Sequence, residues 1–197
     1  CNAKSKDLSI IDPISEKVIA TIPLGGKPET AVSDENGFVY VNIEDKNQIA
    51  QVDIKNQKIN NLIQLNVEEP TGLAIDTDLH LLFAGADEKV AIVDYQKGKQ
   101  VQTIKIGEGC DGVAYDQTSK TLYTSNGSGS LSIIKANVKG VFDLYQTLNT
   151  PKGARTICLD AVTKKIYSPT AMFEPNLAGT SGRPKSIPGT MKVLVIE

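Results

Sequence analysis

The strongest constraint on the fold is an internal repeat of about 41 residues. Four segments, LSIID, AQVD, AIVD and SIIK, end at positions 12, 53, 94 and 135, so that every step is 41 residues. A second set, AVSD, LAID, VAYD and CLD, ends at Asp34, Asp76, Asp116 and Asp160, with steps of 42, 40 and 44 residues. Because a period of this length marks one supersecondary unit, the chain is predicted to be an array of similar units.

Each unit contains four apolar or β-branched segments separated by Gly, Asn, Asp, Lys and Pro. Such short segments between turn residues are typical of β-strands. Asn36-Gly37 and Asn126-Gly127 supply the positive φ angles that tight hairpins need. No window shows an apolar stripe of helical period and length. Four strands in about 40 residues, repeated, predict an all-β chain that forms a β-propeller of four-stranded antiparallel blades.

The units resemble those of the YVTN-repeat, or YncE-like, propellers. The similarity is carried by LSIIDPISEKVIATIPLGGKPETAVSDENGFVYVN, residues 8–42, and the later units keep the same order of segments. WD40 repeats are disfavoured because the chain has no Trp, and kelch repeats are longer than this period. The resemblance implies seven blades in the complete propeller and a periplasmic or cell-surface location.

The register predicts one propeller domain with about four and a quarter blades. We expect a partial blade at 1–24, blades at 25–65, 66–106 and 107–148, and a last blade at 149–197 with an inserted loop at 173–190. Asp12 matches Asp53 and Asp94, so Cys1 is expected to lie inside a blade, with earlier strands upstream. A rival interpretation makes Cys1 a lipid-modified mature terminus.

We name the strands of a blade A to D, from the channel to the rim. In the best-preserved unit they are predicted at 29–34, 38–43, 49–54 and 58–65, and their alternating directions place the D→A and B→C loops on one face. Between positions 25 and 112 these loops carry nine acidic and three basic residues, whereas from 149 onward they are mainly basic. The acidic arc disfavours nucleic acid and suits a cation or a basic peptide. Alternatively, these charges are solvated and only keep strand edges apart.

Charged or polar residues occupy the first positions of strand A and the ends of strand B. We predict that they contact a ligand at the channel mouth, although hydrogen bonds to channel water would also explain them. Two basic residues of the 173–190 loop are further candidates, if that loop is a lid or partner contact and not a structural cover or a disordered segment. The predicted residues are Glu29, Asn42, Thr71, Asp111, Asn126 and Arg155 at the mouth, with Arg183 and Lys185 in the loop.

Motifs for catalysis or metal binding are weak. The single histidine, His80, falls in a turn on the face opposite the acidic loops, without a second ligand nearby. The stretch at 107–112 matches G-x-G-x-x-G, but a strand and not a helix follows it, so it does not predict a dinucleotide site. The cysteines form no CxxC pair, and we expect Cys110 and Cys158 to be unlinked. No metal site, catalytic residue or cofactor is predicted.

These patterns favour a non-enzymatic binding or scaffold propeller, exported, that recognises a protein partner or a small ligand at its channel mouth. One alternative is an enzyme whose catalytic residues lie in upstream blades. A second alternative is a nucleic-acid-binding propeller, which the acidic arc and the formal net charge of −2 disfavour. No apolar run is long enough to predict a membrane span.

Overall fold

The computed structural model describes residues 1–138, 140–174 and 185–197. Within these ranges the chain forms seventeen β-strands and a short 3₁₀ turn at Glu44–Lys46. The first strands are β1 (Asp7–Asp12), β2 (Lys17–Pro23), β3 (Pro28–Ser33), β4 (Phe38–Ile43), β5 (Gln48–Asp53), β6 (Lys58–Gln64), β7 (Pro70–Asp76), β8 (Leu81–Ala86), β9 (Lys89–Asp94) and β10 (Lys99–Lys105). The remaining strands are β11 (Cys110–Asp116), β12 (Thr121–Asn126), β13 (Ser130–Ala136), β14 (Phe142–Asn149), β15 (Cys158–Leu159), β16 (Ile166–Thr170) and β17 (Lys192–Ile196).

Consecutive strands pair in antiparallel fashion into separate sheets. Three sheets have four strands each, β3–β6, β7–β10 and β11–β14, while β1–β2 and β15–β17 form smaller ones. The prediction of an all-β chain with four-stranded antiparallel sheets is therefore confirmed. The first strands of successive sheets, β3, β7, β11 and β15, lie beside one another. This is the arrangement of propeller blades, in which the innermost strands line a central channel.

The core lies between the sheets. Tyr40 and Ile49 of one sheet pack with Leu82 of the next, and all three side chains are buried. A second cluster holds Phe83 against Phe142, with their ring centroids 5.1 Å apart. Each fully buried side chain of this kind contributes about 1.5–3 kcal/mol to folding. The alternation of apolar residues along each strand thus fixes which face meets the neighbouring sheet.

The repeated aspartates that define the period are turn caps. At the end of strand C, the Asp53 carboxylate accepts a hydrogen bond from the backbone N–H of Asn56 at 2.8 Å, and this bond holds the pKa of Asp53 below its ordinary value. At the end of strand A, Asp160 accepts from the N–H of Val162, also at 2.8 Å. Asp side chains are common at such positions because they satisfy turn donors locally. The strongest sequence signature therefore marks the turns of the repeat.

Candidate functional site

A cleft of about 390 Å³ opens on the face that carries the D→A and B→C loops. Four neighbouring sheets contribute to its walls, so it lies where their loops converge. The residues around it are Glu44, Glu68, Glu69, Thr71, Asp87, Gly109, Cys110, Asp111 and Arg155. Both loop types meet here, as the alternation of strand direction predicts.

Ion pairs neutralise both ends of this cleft. Arg155 Nη1 lies 2.7 Å from Asp111 Oδ2, which joins the starts of two neighbouring sheets. At the other end, Lys27 Nζ lies 2.8 Å from Glu29 Oε1 and also pairs with Glu44. The hydrogen bonds to Glu29 and Glu44 raise the pKa of Lys27 above its ordinary value. Arg155, the basic residue predicted at the mouth, therefore already has an acidic partner within the protein, and so does the neighbouring Lys27.

The carboxylates between these two ends have no such partner. Within residues 1–138, 140–174 and 185–197, no lysine or arginine nitrogen lies within 4 Å of the carboxylates of Glu68, Glu69 or Asp87. Asp87 Oδ1 accepts the N–H of Gly109 at 2.9 Å, which fixes one loop against the next. Among the residues placed by the structure, no group of three or more acidic, His or Cys side chains is arranged to hold a metal ion.

A second cleft of about 460 Å³ adjoins the first and shares Glu68 and Asp87 with it. It extends toward Asn47 and Lys89 at the edge of the same face. We call the two together the acidic groove, and we define it by its carboxylates. These are Glu44, Glu68, Glu69, Asp87, Glu88 and Asp111.

The structure brings three of the predicted mouth residues together. Thr71, Asp111 and Arg155 line one cleft, and the Thr71 hydroxyl donates to the carbonyl oxygen of Glu69 at 3.2 Å. Glu29 lies beyond the cleft wall and connects to it through Lys27. The role of these residues in ligand binding stays a prediction.

The two predicted asparagines do not line the cleft. Asn42 is completely buried, and its Nδ2 donates to the carbonyl oxygen of Gly72 at 2.9 Å, which ties β4 to β7 of the next sheet. Asn126 is also completely buried, and its Nδ2 donates to the hydroxyl oxygens of Ser130 and Ser132, both at 3.0 Å. Both side chains therefore hold strands and turns in place below the mouth.

The inserted loop is described only at its stem. Phe173 and Ser186 form an antiparallel bridge, and the N–H of Glu174 donates to the carbonyl oxygen of Lys185 at 2.9 Å. The Lys185 side chain is exposed at this stem. Arg183 and the middle of the loop lie outside the described residues, so the choice between a lid, a structural cover and a disordered segment stays a prediction.

All three cysteines are free, so the prediction that Cys110 and Cys158 are unlinked is confirmed. Cys1 and Cys158 are exposed, whereas Cys110 is buried beneath the cleft. Burial raises the pKa of the Cys110 thiol to about 12, aided by the nearby charges of Asp111 and Asp87. Since the thiolate is the reactive form, Cys110 is chemically inert at neutral pH.

We therefore expect a thiol-specific colorimetric reagent at pH 7.5 to modify Cys1 and Cys158 quickly in the native protein and to leave Cys110 unmodified. Unfolding in urea should release the third thiol, because denaturation removes the burial that holds it protonated. The Cys110→Ala variant is the control, and it should give the same count in both states. Rapid native modification of Cys110 would contradict the buried position.

Comparisons with known proteins support the fold alone. No protein-family model and no curated protein matches the chain. Among solved structures, the chain is similar to hydrazine synthase from Kuenenia stuttgartiensis, a protein that contains a β-propeller, with a TM-score of 0.67 and 17% sequence identity. The similarity covers 78% of this chain and 43% of that one, so this chain spans less than half of its length.

The similarity and the four-stranded sheets together show a β-propeller fold. The resemblance to YncE-like propellers, the blade boundaries and the number of seven blades stay predictions. No helix in the described part of the chain combines the length and the apolar character needed to cross a membrane.

Proposed function

We propose that this chain is a non-enzymatic binding propeller that recognises a basic segment of a partner protein through the acidic groove. The observation that carries the proposal is the group of carboxylates between the two neutralised ends. Glu68, Glu69 and Asp87 line connected clefts and have no cationic partner among the described residues. The propeller fold supports a general binding or scaffold role, since the loops of several blades converge on one surface.

Elementary electrostatics favour a basic peptide over other ligands of the groove. Lysine and arginine side chains carry positive charge on long flexible stems and can reach several carboxylates along an elongated cleft. Phosphate-bearing ligands would be repelled, which disfavours the nucleic-acid alternative. Cys110, the thiol beneath the groove, is held protonated by its burial, so it does not supply a nucleophile for the enzyme alternative.

The proposal includes the family, the number of blades and the location that the sequence predicts. A YncE-like propeller of seven blades, exported to the periplasm or cell surface, would present the groove to extracytoplasmic partners. Cell fractionation of the full-length protein tests the location, and its result is independent of what the groove binds.

Reversing the charge at the centre of the groove should weaken peptide binding. We expect the double variant Glu68→Lys, Glu69→Lys to bind a fluorescent lysine-rich peptide at least about tenfold more weakly than the natural chain, a loss of about 1.4 kcal/mol. Binding to the natural chain should also weaken as salt rises, because exposed ion pairs are screened. Fluorescence anisotropy over a series of salt concentrations measures both effects.

The matched control is Glu16→Lys, Glu35→Lys. It makes the same change in net charge at exposed turn positions on the opposite face, where both residues already have positive φ angles, as Glu69 has. We expect the control to bind the peptide within about twofold of the natural chain, a difference near 0.4 kcal/mol. An equal loss in both double variants would show that overall charge and not the groove attracts the peptide.

A further inference from the structure

On the face opposite the acidic groove, lysines clamp neighbouring sheets together. Lys120 Nζ lies 3.0 Å from Oδ2 of Asp76 in the preceding sheet, and the Tyr115 hydroxyl donates to the same oxygen at 2.5 Å. At the next interface, Lys164 Nζ lies 2.8 Å from Oδ1 of Asp116. Each clamp therefore places an ammonium group on the aspartate that ends strand A.

The clamp lysines share one backbone position. Lys120 and Lys164 have φ angles of 51° and 62°, and each follows the strand-A aspartate of its own sheet by four residues. In the sheet β7–β10 the same position is His80, with a φ angle of 57°. His80 Nδ1 lies 3.2 Å from the Tyr95 hydroxyl oxygen and not on the preceding aspartate. At the interface between the sheets β3–β6 and β7–β10, the backbone therefore has the same conformation as at the two lysine clamps, but a histidine stands where they have a lysine.

The aspartate that this clamp would hold is Asp34. Its Oδ1 accepts the N–H groups of Asn36 and Phe38 at 2.8 and 3.0 Å, as in the other turns. Asp34 is half-buried, and no described lysine or arginine nitrogen lies within 4 Å of it. The equivalent of Tyr115 in the next sheet is Ile75, an apolar residue that packs against the core and cannot donate to Asp34.

A cleft of about 640 Å³ opens beside Asp34, between the sheets β3–β6 and β7–β10. The half-buried Tyr95 lines it, and the Tyr95 ring centroid lies 5.0 Å from that of Tyr40. Asn60 and Gln51 also line it, with Asn60 Nδ2 donating to Gln51 Oε1 at 2.8 Å. A carboxylate beside an aromatic ring is a combination that attracts organic cations, because both the charge and the ring face are negative.

We propose that this cleft binds an alkylammonium group. The charged nitrogen pairs with Asp34 where the lysines pair with aspartates at the other two interfaces, and the carbon chain lies against Tyr95. Either a free primary amine or a lysine side chain of a partner protein has this chemistry. The site lies on the face opposite the acidic groove and does not depend on what the groove binds.

The test titrates n-butylammonium and Nα-acetyl-lysine amide into the folded chain, with n-butanol as the uncharged analogue. Backbone amide shifts of Asn36 and Phe38 in NMR spectra report on binding. We expect saturable shifts with both cations and at least tenfold weaker binding of n-butanol. Equal affinities for the two cations assign the site to small amines, and tighter binding of the lysine derivative assigns it to a protein lysine. Absence of saturable shifts, or equal binding of n-butanol, overturns the proposal.

Two variants test the role of Asp34. Asp34→Asn keeps an Oδ1 acceptor for the turn but removes the charge, and it should lose at least tenfold in affinity for both cations. Asp160→Asn removes a charge from the equivalent turn cap of the last sheet, and it should bind like the natural chain. Unchanged affinity in Asp34→Asn overturns the proposal.

In a third variant, a lysine of the chain itself is placed where it can pair with Asp34. His80→Lys restores the clamp residue at a backbone position that already has the required φ angle. It should abolish binding of both cations and raise the melting temperature by about 2–4 °C, as an added ion pair between sheets would. A folded His80→Lys variant that still binds the cations with natural affinity overturns the proposal.

Discussion

Replacing Asp76 with alanine should lower the free energy of unfolding by about 3–5 kcal/mol. The Asp76 carboxylate is completely buried and accepts hydrogen bonds from the Tyr115 hydroxyl and the backbone N–H groups of Asp78 and Leu79. It also pairs with Lys120, which reaches across from the next sheet. Alanine leaves all of these donors without their acceptor, and the cost of unpaired buried polar groups is large. Urea denaturation followed by circular dichroism measures the loss.

The effect of this substitution should depend on pH with a defined sign. Burial alone would raise the pKa of Asp76, but hydrogen bonds from Tyr115 and Leu79 and the charge of Lys120 outweigh it and hold the pKa below its ordinary value of 3.8. A lowered pKa in the folded state means that the carboxylate stabilises the fold fully above that ordinary value and loses this effect as pH falls through the folded value. The difference in stability between the natural chain and Asp76→Ala should therefore be constant near neutral pH and shrink below about pH 4.

Asp34→Ala is the matched control for the clamp. Asp34 caps the equivalent turn through two backbone N–H groups but has no lysine or tyrosine partner among the described residues. Its loss should cost only about 1 kcal/mol, the usual value of a turn hydrogen bond. Equal destabilisation by Asp34→Ala and Asp76→Ala would mean that the contacts between sheets add nothing to the turn cap.

The strand positions could be predicted closely from the sequence. The best-preserved unit was predicted at 29–34, 38–43, 49–54 and 58–65, and the strands there differ by at most one residue at either end. This accuracy has a local cause, because alternating apolar residues and turn residues fix each hairpin without reference to the rest of the chain. The turn conformations differ from the prediction, since the positive φ angles lie at Glu35, Gly37 and Gly129 and not at Asn36, Asn126 or Gly127.

The candidate site could be predicted only in part. Thr71, Asp111 and Arg155 share a cleft because they lie at or just before the starts of successive A strands, and that placement follows from the repeat alone. The burial of Asn42 could not be predicted in this way, because it depends on the carbonyl oxygen of Gly72 in another sheet. Side chains at the ends of strands take their environment from the neighbouring sheet, which local patterns do not specify.

The clamps between sheets had a signal in the sequence that the repeat alone did not explain. A lysine follows the strand-A aspartate by four residues at Asp116–Lys120 and again at Asp160–Lys164. Within one sheet this spacing has no obvious purpose. Each of these lysines pairs with the aspartate of the preceding sheet. The spacing therefore reflects a contact between neighbouring sheets and not one within a sheet.

Replacing Gly72 with valine should cost about 3 kcal/mol, at the upper end of the usual cost of overpacking. Gly72 lies in β7 where that strand approaches β11. A Cβ atom at this position would lie 2.9 Å from Val113 N and 3.0 Å from Asp111 O, and both are backbone atoms of β11. Since a backbone cannot rotate away as a side chain does, the two innermost strands would have to separate. Thermal and urea denaturation measure the loss of stability.

Gly72→Ala should produce most of this loss, since the Cβ atom itself makes the short contacts with β11. The control is Ala31→Val in β3, an exposed strand position where a β-branched residue should change stability by no more than about 0.5 kcal/mol.

Asn42 adds a second readout, because its side chain binds the Gly72 carbonyl oxygen. If β7 shifts, this bond lengthens, and the Asn42→Ala substitution should then cost less in Gly72→Val than in the natural chain. A Gly72→Val protein as stable as the natural chain would contradict the close approach of β7 and β11, on which the convergence of loops at the acidic groove depends.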